Sequence, residues 1–536
     1  MPFNVKYNIY IVFSLLIFFL SACGEGINET KTPQNQDNKG PVVEISGTVT
    51  YDFVPGSARG LDYDNISRKP VRGTVVQLLN KEGRPVATTI TDNNGRYSAT
   101  VPENTDIKVR VLAKLYKNYQ QNWHVQVVDN TRGDALYVSD GSLAHIGTSS
   151  QIRNLNIPSG WDGDSYSSKR AAAPFAMLDT IYTCMQLVLS ADPTISFPFL
   201  KVNWSVNNVA ASGSISLGQI GTSSYYGGQL YILGDADHDT DEYDDHVIAH
   251  EWGHYYEDIF SRSDSIGGSH GFGQMLDIRL AFGEGWGNAF SAMALNDPVY
   301  YDTSGSQQSR GFSVNIDRSS IRNPGWFNES SIQGILYDLY DSGTDESFDT
   351  LSLGFGPIHQ VMTGAEKNVG AFTSIFSFIT LLKKARPDDA TAIDTIVRHE
   401  SIARITDIFG GLDGAKRTNH KNSYPYTKTT GSSHNQSARG VSTSTSYGTP
   451  NKLGNRRYIR FKINTNGNYT ITVNGSNRNS LGITLYQITP SLKYIVGKTS
   501  SSSQVRIEHF FKRGSYLIDL GHYYNPSSGT YNITIR

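Results

Sequence analysis

Asp244-Asp245-His246-Val247-Ile248-Ala249-His250-Glu251-Trp252-Gly253-His254-Tyr255-Tyr256 is the stretch that decides how this chain reads. Its apolar residues recur at helical spacing, and the two aspartates offer an N-cap and favourable first-turn charge. The pattern predicts one helix. On it His250 and His254 stand four apart, so both rings project from one face about a turn apart. Two neutral imidazoles so placed can share one Zn²⁺. Glu251, adjacent to the first, can face a water at the metal and take its proton. His246 lies one turn earlier and is expected as a neighbour, because three successive turns drift off one face. The plain alternative is an amphipathic helix with solvated histidines.

Further along, Ala281-Phe282-Gly283-Glu284-Gly285-Trp286-Gly287-Asn288 supplies a carboxylate in a second apolar pattern. His-Glu-x-x-His at 250–254 with Gly-Glu-Gly-Trp at 283–286 resembles the gluzincin metallopeptidases of thermolysin and fungalysin type. A metzincin would continue with Gly and His where this chain has Glu257 and Phe260. The resemblance implies a zincin fold holding one Zn²⁺ per chain on His250, His254 and Glu284. It implies Glu251 as general base in the hydrolysis of peptide bonds. Those families usually carry Asp four residues after the ligand Glu, to orient a histidine. Here that position is Asn288, whose amide oxygen can still accept an imidazole N–H without carrying charge. The alternative for Glu284 is a plain helix N-terminal carboxylate. His270, in Gly267-Gly268-Ser269-His270-Gly271, is the second choice of ligand, in a setting that reads as too mobile for a rigid site.

The same resemblance implies an edge strand that binds substrate main chain, here Ser224, Tyr225 and Tyr226; an ordinary strand pair is the alternative. It also implies a downstream His as transition-state donor, ahead of a helix like Ser331-Ile332-Gln333-Gly334-Ile335-Leu336-Tyr337-Asp338. That position falls near Trp326, so the His is missing. His359 is the substitute donor, or equally a structural residue. Asp235, Asp237, Asp239 and Asp241 alternate before the zinc helix and can converge on Ca²⁺, or form an exposed acidic loop.

Outside this block the chain divides by texture. In residues 1–23, Lys6 precedes the apolar run Ile9 to Leu20, too short for a membrane span of about 20 apolar residues. Leu20-Ser21-Ala22-Cys23 resembles the lipobox of bacterial lipoproteins, with Cys23 lipidated. This implies an exported chain anchored at the bacterial cell surface or outer membrane; an uncleaved signal anchor is the alternative. Residues 24–40 read as a flexible tether. Residues 41–158 read as a β-sandwich and following strands: from Val42 to about Ala113 the pattern alternates with period two and resembles transthyretin-like β-sandwiches. Residues 159–417 hold the peptidase pattern, and 418–455 read as a Ser/Thr-rich linker without periodicity. Residues 456–536 alternate again, and their Gly-x-Tyr openings at 514 and 529 resemble the pre-peptidase C-terminal domain, a module open to trimming. The expected fold class is multidomain: a central α+β, mostly helical zincin domain flanked by N- and C-terminal all-β sandwiches.

Lys+Arg 47 against Asp+Glu 49 gives a net charge of −2, which leaves no basic excess to bind nucleic acid. Two Cys exclude a disulfide scaffold, and Cys184 sits in an apolar helical pattern as a core residue. The expected partners are protein or peptide substrates and the membrane, with the chain a monomer. A rival reading is an adhesive surface lipoprotein whose zincin domain is inert. The intact Glu251 argues against it, because binding metal needs only the ligands.

Overall fold

The computed structural model describes residues 40–119, 121–318, 321–341, 347–410, 425–432, 434–444, 448–475, 481–522 and 528–536. Cys23, the apolar run before it, nearly all of the 24–40 tether and the first part of the 418–455 segment lie outside the described residues. Among the described residues no helix is long and apolar enough to cross a membrane. These residues hold several β-sheets and seven α-helices.

Val42–Phe53 alternates buried with exposed positions, as a strand with one face on a core must. It pairs antiparallel with Arg96–Pro102 and Ser67–Pro70. The turn Asp92-Asn93-Asn94-Gly95 sets up the first of these pairings. Asp92 Oδ1 accepts from the backbone of Asn94 and Arg96, and Gly95 takes φ +72°, which favours glycine.

The second sheet corrects the expected boundary at 158/159. Thr105–Tyr119 and Gln121–Asp129 form a long hairpin. Leu200–Trp204 then adds in parallel to Gln121–Asp129, with Val202 opposite Val127. Gln229–Ile232 follows in parallel, and Ser224–Tyr226 lies antiparallel at the edge. A parallel neighbour needs a long crossover, and α1 (Ala173–Ala191) lies within it. The strands Thr105–Tyr119 and Gln121–Asp129 and the strands of the peptidase region are therefore one sheet, while Val42–Phe53 belongs to another, and a single apolar core runs from Val43 through the helices to Tyr458 and Leu517 of the C-terminal part. Period-two alternation reveals a strand but not its partner, so the sequence split what the sheet joins. Cys184 is fully buried in α1, and burial pushes its thiol up.

Three more helices carry the site: α2 (Asp245–Phe260), α3 (Ile278–Leu295) and α4 (Glu329–Asp338). From Ile278 to Ala294 every residue of α3 is buried, so it is the central helix. Close approach explains its glycines. A Cβ on Gly287 would stand 2.8 Å from the His250 ring, and one on Gly285 2.5 Å from Ile332 Cβ of α4.

The C-terminal sandwich has two five-stranded sheets and its own apolar core. Tyr426–Lys428 pairs with Arg456–Ile463, and Asn435–Thr443 with Gly529–Ile535. The 418–455 linker is thus corrected: from Tyr426 on, much of it is sandwich. Its inward positions are Gln436, Ala438, Val441 and Thr443, with a register shift between Ala438 and Val441. Small and polar inward residues and a shifted register erase the period-two signal.

Candidate metal centre

Helix α2 begins otherwise than the sequence suggests. Asp244 makes no side-chain cap; its Oδ2 accepts from the backbone N and the Oγ1 of Thr303, at 3.0 and 2.8 Å. Asp245 accepts from Thr180 Oγ1 at 2.6 Å. Both aspartates tie the helix start to neighbouring elements. Helix α3 is capped by Asp277, whose side chain accepts from the Arg279 backbone.

Across the α2–α3 interface three donor atoms converge. His250 Nε2 and His254 Nε2 are 3.0 Å apart, and Glu284 Oε2 lies 3.3 and 3.5 Å from them. A tetrahedral Zn²⁺ with bonds of about 2.0–2.1 Å sets its ligand atoms about 3.3–3.4 Å apart, so the triangle has the size that ion needs. Asn288 Oδ1 accepts from His250 Nδ1 at 2.8 Å, while its Nδ2 donates to Gln333 Oε1 at 2.9 Å. The Gln333 contact fixes the amide with oxygen toward the ring. The ring proton is thereby held on Nδ1, leaving the Nε2 lone pair for a metal. All three groups are largely removed from water. Burial disfavours charge on His254, but the Glu284 carboxylate overrides it and raises the ring to about 9. Glu284 is held well below the ordinary carboxylate range: burial opposes this, and the neighbouring imidazoles outweigh it.

Glu251 faces a cleft of about 1390 Å³, larger than the roughly 300–1,000 Å³ of small-molecule pockets. The cleft is lined on one side by Ser224, Tyr225 and Tyr226. Of these, Tyr225 reaches the centre: its backbone N–H donates to Glu251 Oε2 at 2.6 Å, and its hydroxyl to Asp258 at 2.7 Å. Ser224 and Tyr226 pair with Tyr231 and Gln229 of the next strand.

Two sequence expectations are corrected. His359 is absent from the cleft. It is 6% exposed in a short helix, Phe355–Gln360, with Nδ1 on the Tyr256 hydroxyl at 2.8 Å and rings of Phe355 and Tyr256 around it. Burial lowers its pKa, as for a core histidine. The four alternating aspartates do not converge either. Asp235 bonds His238 Nδ1 and Asp237 is exposed, whereas Asp239 and Asp241 gather with Asp302. Asp302 comes from the distant strand Val299–Ser304, which no local spacing announces.

His270, the second choice of ligand from sequence, stands beside the site despite its glycine-rich setting. Its Nε2 lies 3.1 Å from Glu284 Oε2 and 4.0 Å from Glu329 Oε2. It is not part of the converging three-atom set. Glu329, first residue of α4, is buried with Oε2 unpartnered, and burial pushes it up to about 7. The sequence signal for His270 was its spacing, between the second histidine and Glu284; nothing local signals Glu329. Trp326 is buried against Phe327 and Phe376, so the expected downstream donor position faces the core.

Residues 203–384, which include His250, His254 and Glu284, match the family described as Mycolysin C-terminal domain. The match marks this region as peptidase-related. No curated protein matches the chain. Among solved structures, the pre-peptidase C-terminal domain of collagenase from Bacillus anthracis is 12% identical, covering 21% of this chain and 92% of that one, with a TM-score of 0.16. The periplasmic lysozyme inhibitor PliG of Aeromonas hydrophila is 11% identical, covering 20% and 93%, with a TM-score of 0.15. At such TM-scores these likenesses support no conclusion about fold or function.

Proposed function

We propose that the chain is a Zn²⁺-dependent extracytoplasmic endopeptidase, anchored to the bacterial membrane through Cys23. One observation carries the reading. His250 Nε2, His254 Nε2 and Glu284 Oε2 converge at 3.0–3.5 Å while Glu251 stands beside them in a large cleft under an edge strand. Zn²⁺, when bound, supplies Lewis acidity toward a peptide carbonyl and lowers the pKa of water. The chain's own residues do the rest. Asn288 holds the proton on His250 Nδ1, so that Nε2 stays a lone-pair donor. Glu251 takes a proton from the attacking water and passes it to the departing amine nitrogen. The Tyr225 N–H aims the Glu251 carboxylate from the strand side. An extended substrate lies along Ser224–Tyr226 by main-chain pairing, which favours protein substrates of varied sequence. Ca²⁺, if taken up, is held by Asp239, Asp241 and Asp302.

Metal analysis with a proteolysis assay on wild type and Glu251→Gln tests this. The expected result is about one zinc in each protein, with cleavage by Glu251→Gln reduced roughly 10²–10⁴-fold. Equal cleavage by both removes Glu251 as the base. Stoichiometric zinc without cleavage of any peptide favours an adhesive surface protein instead.

A further inference from the structure

The loop joining α2 to α3, residues 261–277, forms part of the cleft. Its Ile266, Gly268, His270 and Phe272 line the same space as Tyr225 and Tyr226 of the edge strand. Among the described residues, which include all of this loop, it forms no helix or strand, and glycines stand at 267, 268, 271 and 273. Such a segment has little of its own to fix it. Its start is tied within the peptidase region: Asp264 N donates to Thr373 Oγ1 at 3.2 Å, and Thr373 N to Asp264 Oδ2 at 2.8 Å.

Its tip is held from a distant part of the chain. Residues 449–453, the segment entering the Arg456–Ile463 strand of the C-terminal sandwich, run beside it. Asn451 Nδ2 donates to the carbonyls of Gly267 and Ser269, both at 3.0 Å. Lys452 Nζ donates to Ser269 O at 2.5 Å. Asn451 Oδ1 accepts from Thr449 Oγ1 at 2.8 Å, which fixes the amide with its nitrogen toward the loop. Leu276 and Lys452 form an antiparallel bridge, with Leu453 N on Met275 O and Asp277 N on Asn451 O at 2.9 and 2.8 Å. Asn451 and Lys452 are buried, so water does not compete for these bonds.

The grip has a firm base. Tyr458 donates to Asp277 Oδ2 at 2.5 Å, and Asp519 accepts from both Arg279 and Arg456, at 3.2 and 2.8 Å. Leu453, Tyr458 and Leu517 share one apolar core with α2 and α3. Moving the sandwich away from the loop would expose that apolar surface and part buried charges, and both are costly.

We propose that the C-terminal sandwich sets one wall of the substrate cleft, with Asn451 and Lys452 as positioning residues. They hold the tip, residues 267–269, where an extended peptide lies between it and the edge strand. This rests on the peptidase reading above. The physical argument is one of populations. A peptide binds while the wall is in place, so apparent affinity falls with the fraction of time that the tip spends in place. His250, His254 and Glu284 stand on packed helices and need no such support. The sandwich is then a component of the binding unit, and trimming it away would loosen the cleft.

The test uses the full chain: wild type, Asn451→Ala, Lys452→Met, Lys452→Arg and the Asn451→Ala/Lys452→Met double variant. Amide hydrogen exchange, zinc content after dialysis, and kcat and KM on a peptide cleaved by wild type are measured. So is affinity for two inhibitors: a phosphinic peptide long enough to span the cleft, and acetohydroxamate, which engages the metal alone. Asn451→Ala and Lys452→Met are each expected to speed exchange at 265–272 about tenfold, with the Arg456–Ile463 strand exchanging as in wild type. Each raises KM and weakens the phosphinic peptide about tenfold, while kcat, zinc content and acetohydroxamate affinity hold. Lys452→Arg, which keeps a charged donor, stays near wild type, and the double variant exceeds either single one. Unchanged exchange in the double variant overturns the grip. Faster exchange with wild-type KM and inhibitor affinity overturns the wall. Zinc loss, or acetohydroxamate weakened as much as the phosphinic peptide, moves the effect to the metal site and overturns the assignment. Wild type that holds zinc yet neither cleaves peptide nor binds the phosphinic peptide defeats the peptidase reading, and the inference with it.

Discussion

Two acidic sites share the same cleft and differ in kind. At His250, His254 and Glu284, two imidazoles and one carboxylate meet on two packed helices, and an outer amide orients one ring. At Asp239, Asp241 and Asp302, three carboxylates meet on short strands and their connections. In the first, opposite tendencies cancel: the imidazoles draw Glu284 down and Glu284 draws His254 up. In the second, like charges add to burial, and Asp239 is pushed to about 6 and Asp302 to about 7. Mixed donors on rigid helices make a site already shaped to the size a metal ion needs. Like ligands on less regular backbone make one that resists ionising until a cation arrives.

The largest expected effect separates the two by removing a helix-borne ligand. Glu284→Ala should lower zinc affinity by more than the roughly 10–100-fold expected for the outer residue Asn288→Ala, both read by competition with a chelator. Comparable losses would mean that Glu284 is no ligand. A smaller effect comes from the strand side. Tyr225→Pro removes the N–H that meets Glu251 while leaving the ladder to Gln229–Ile232, and edge strands tolerate proline. A charge-assisted bond of about 1.5–3 kcal/mol predicts a fall of roughly tenfold or more in kcat/KM with zinc content unchanged. Unaltered kinetics would leave Glu251 without need of that contact.

The smallest effect lies in the carboxylate trio. Carboxyls raised by folding bind more protons folded than unfolded between about pH 4 and 7. Their contribution to stability is therefore full at low pH and is lost as pH rises through the raised values. Without added metal, Tm should fall by about 2–4 °C between pH 5 and pH 8 relative to Asp302→Asn. Calcium should restore it at pH 8 and do little at pH 5. A calcium-independent Tm at both pH values would leave the trio as buried acid without a cation.

Legibility follows the range of each interaction. His250 and His254 were readable because i and i+4 meet by helix geometry alone, and Glu284 because its Gly-rich setting is a local pattern. Asn288 was readable as an acceptor, but its partner Gln333 was not. His359 looked available because a histidine shows no burial in sequence; packing against Tyr256 and Phe355 disposes of it. His270 looked too loosely held because its neighbours are glycines, and the groups that hold it lie more than 180 residues away.

The sequence by itself determined the helix carrying His250 and His254, the helix carrying Glu284, alternating strands at both ends and the absence of a basic or disulfide-rich character. Each is set by short-range spacing or by composition. Only the tertiary structure decided that the hairpin of Thr105–Tyr119 with Gln121–Asp129 shares one sheet with the edge strand, and that Asp302 completes an acidic trio. It alone decided that the C-terminal sandwich grips the cleft wall. Those choices depend on which distant segments close loops and bury apolar surface together, and no local period encodes that.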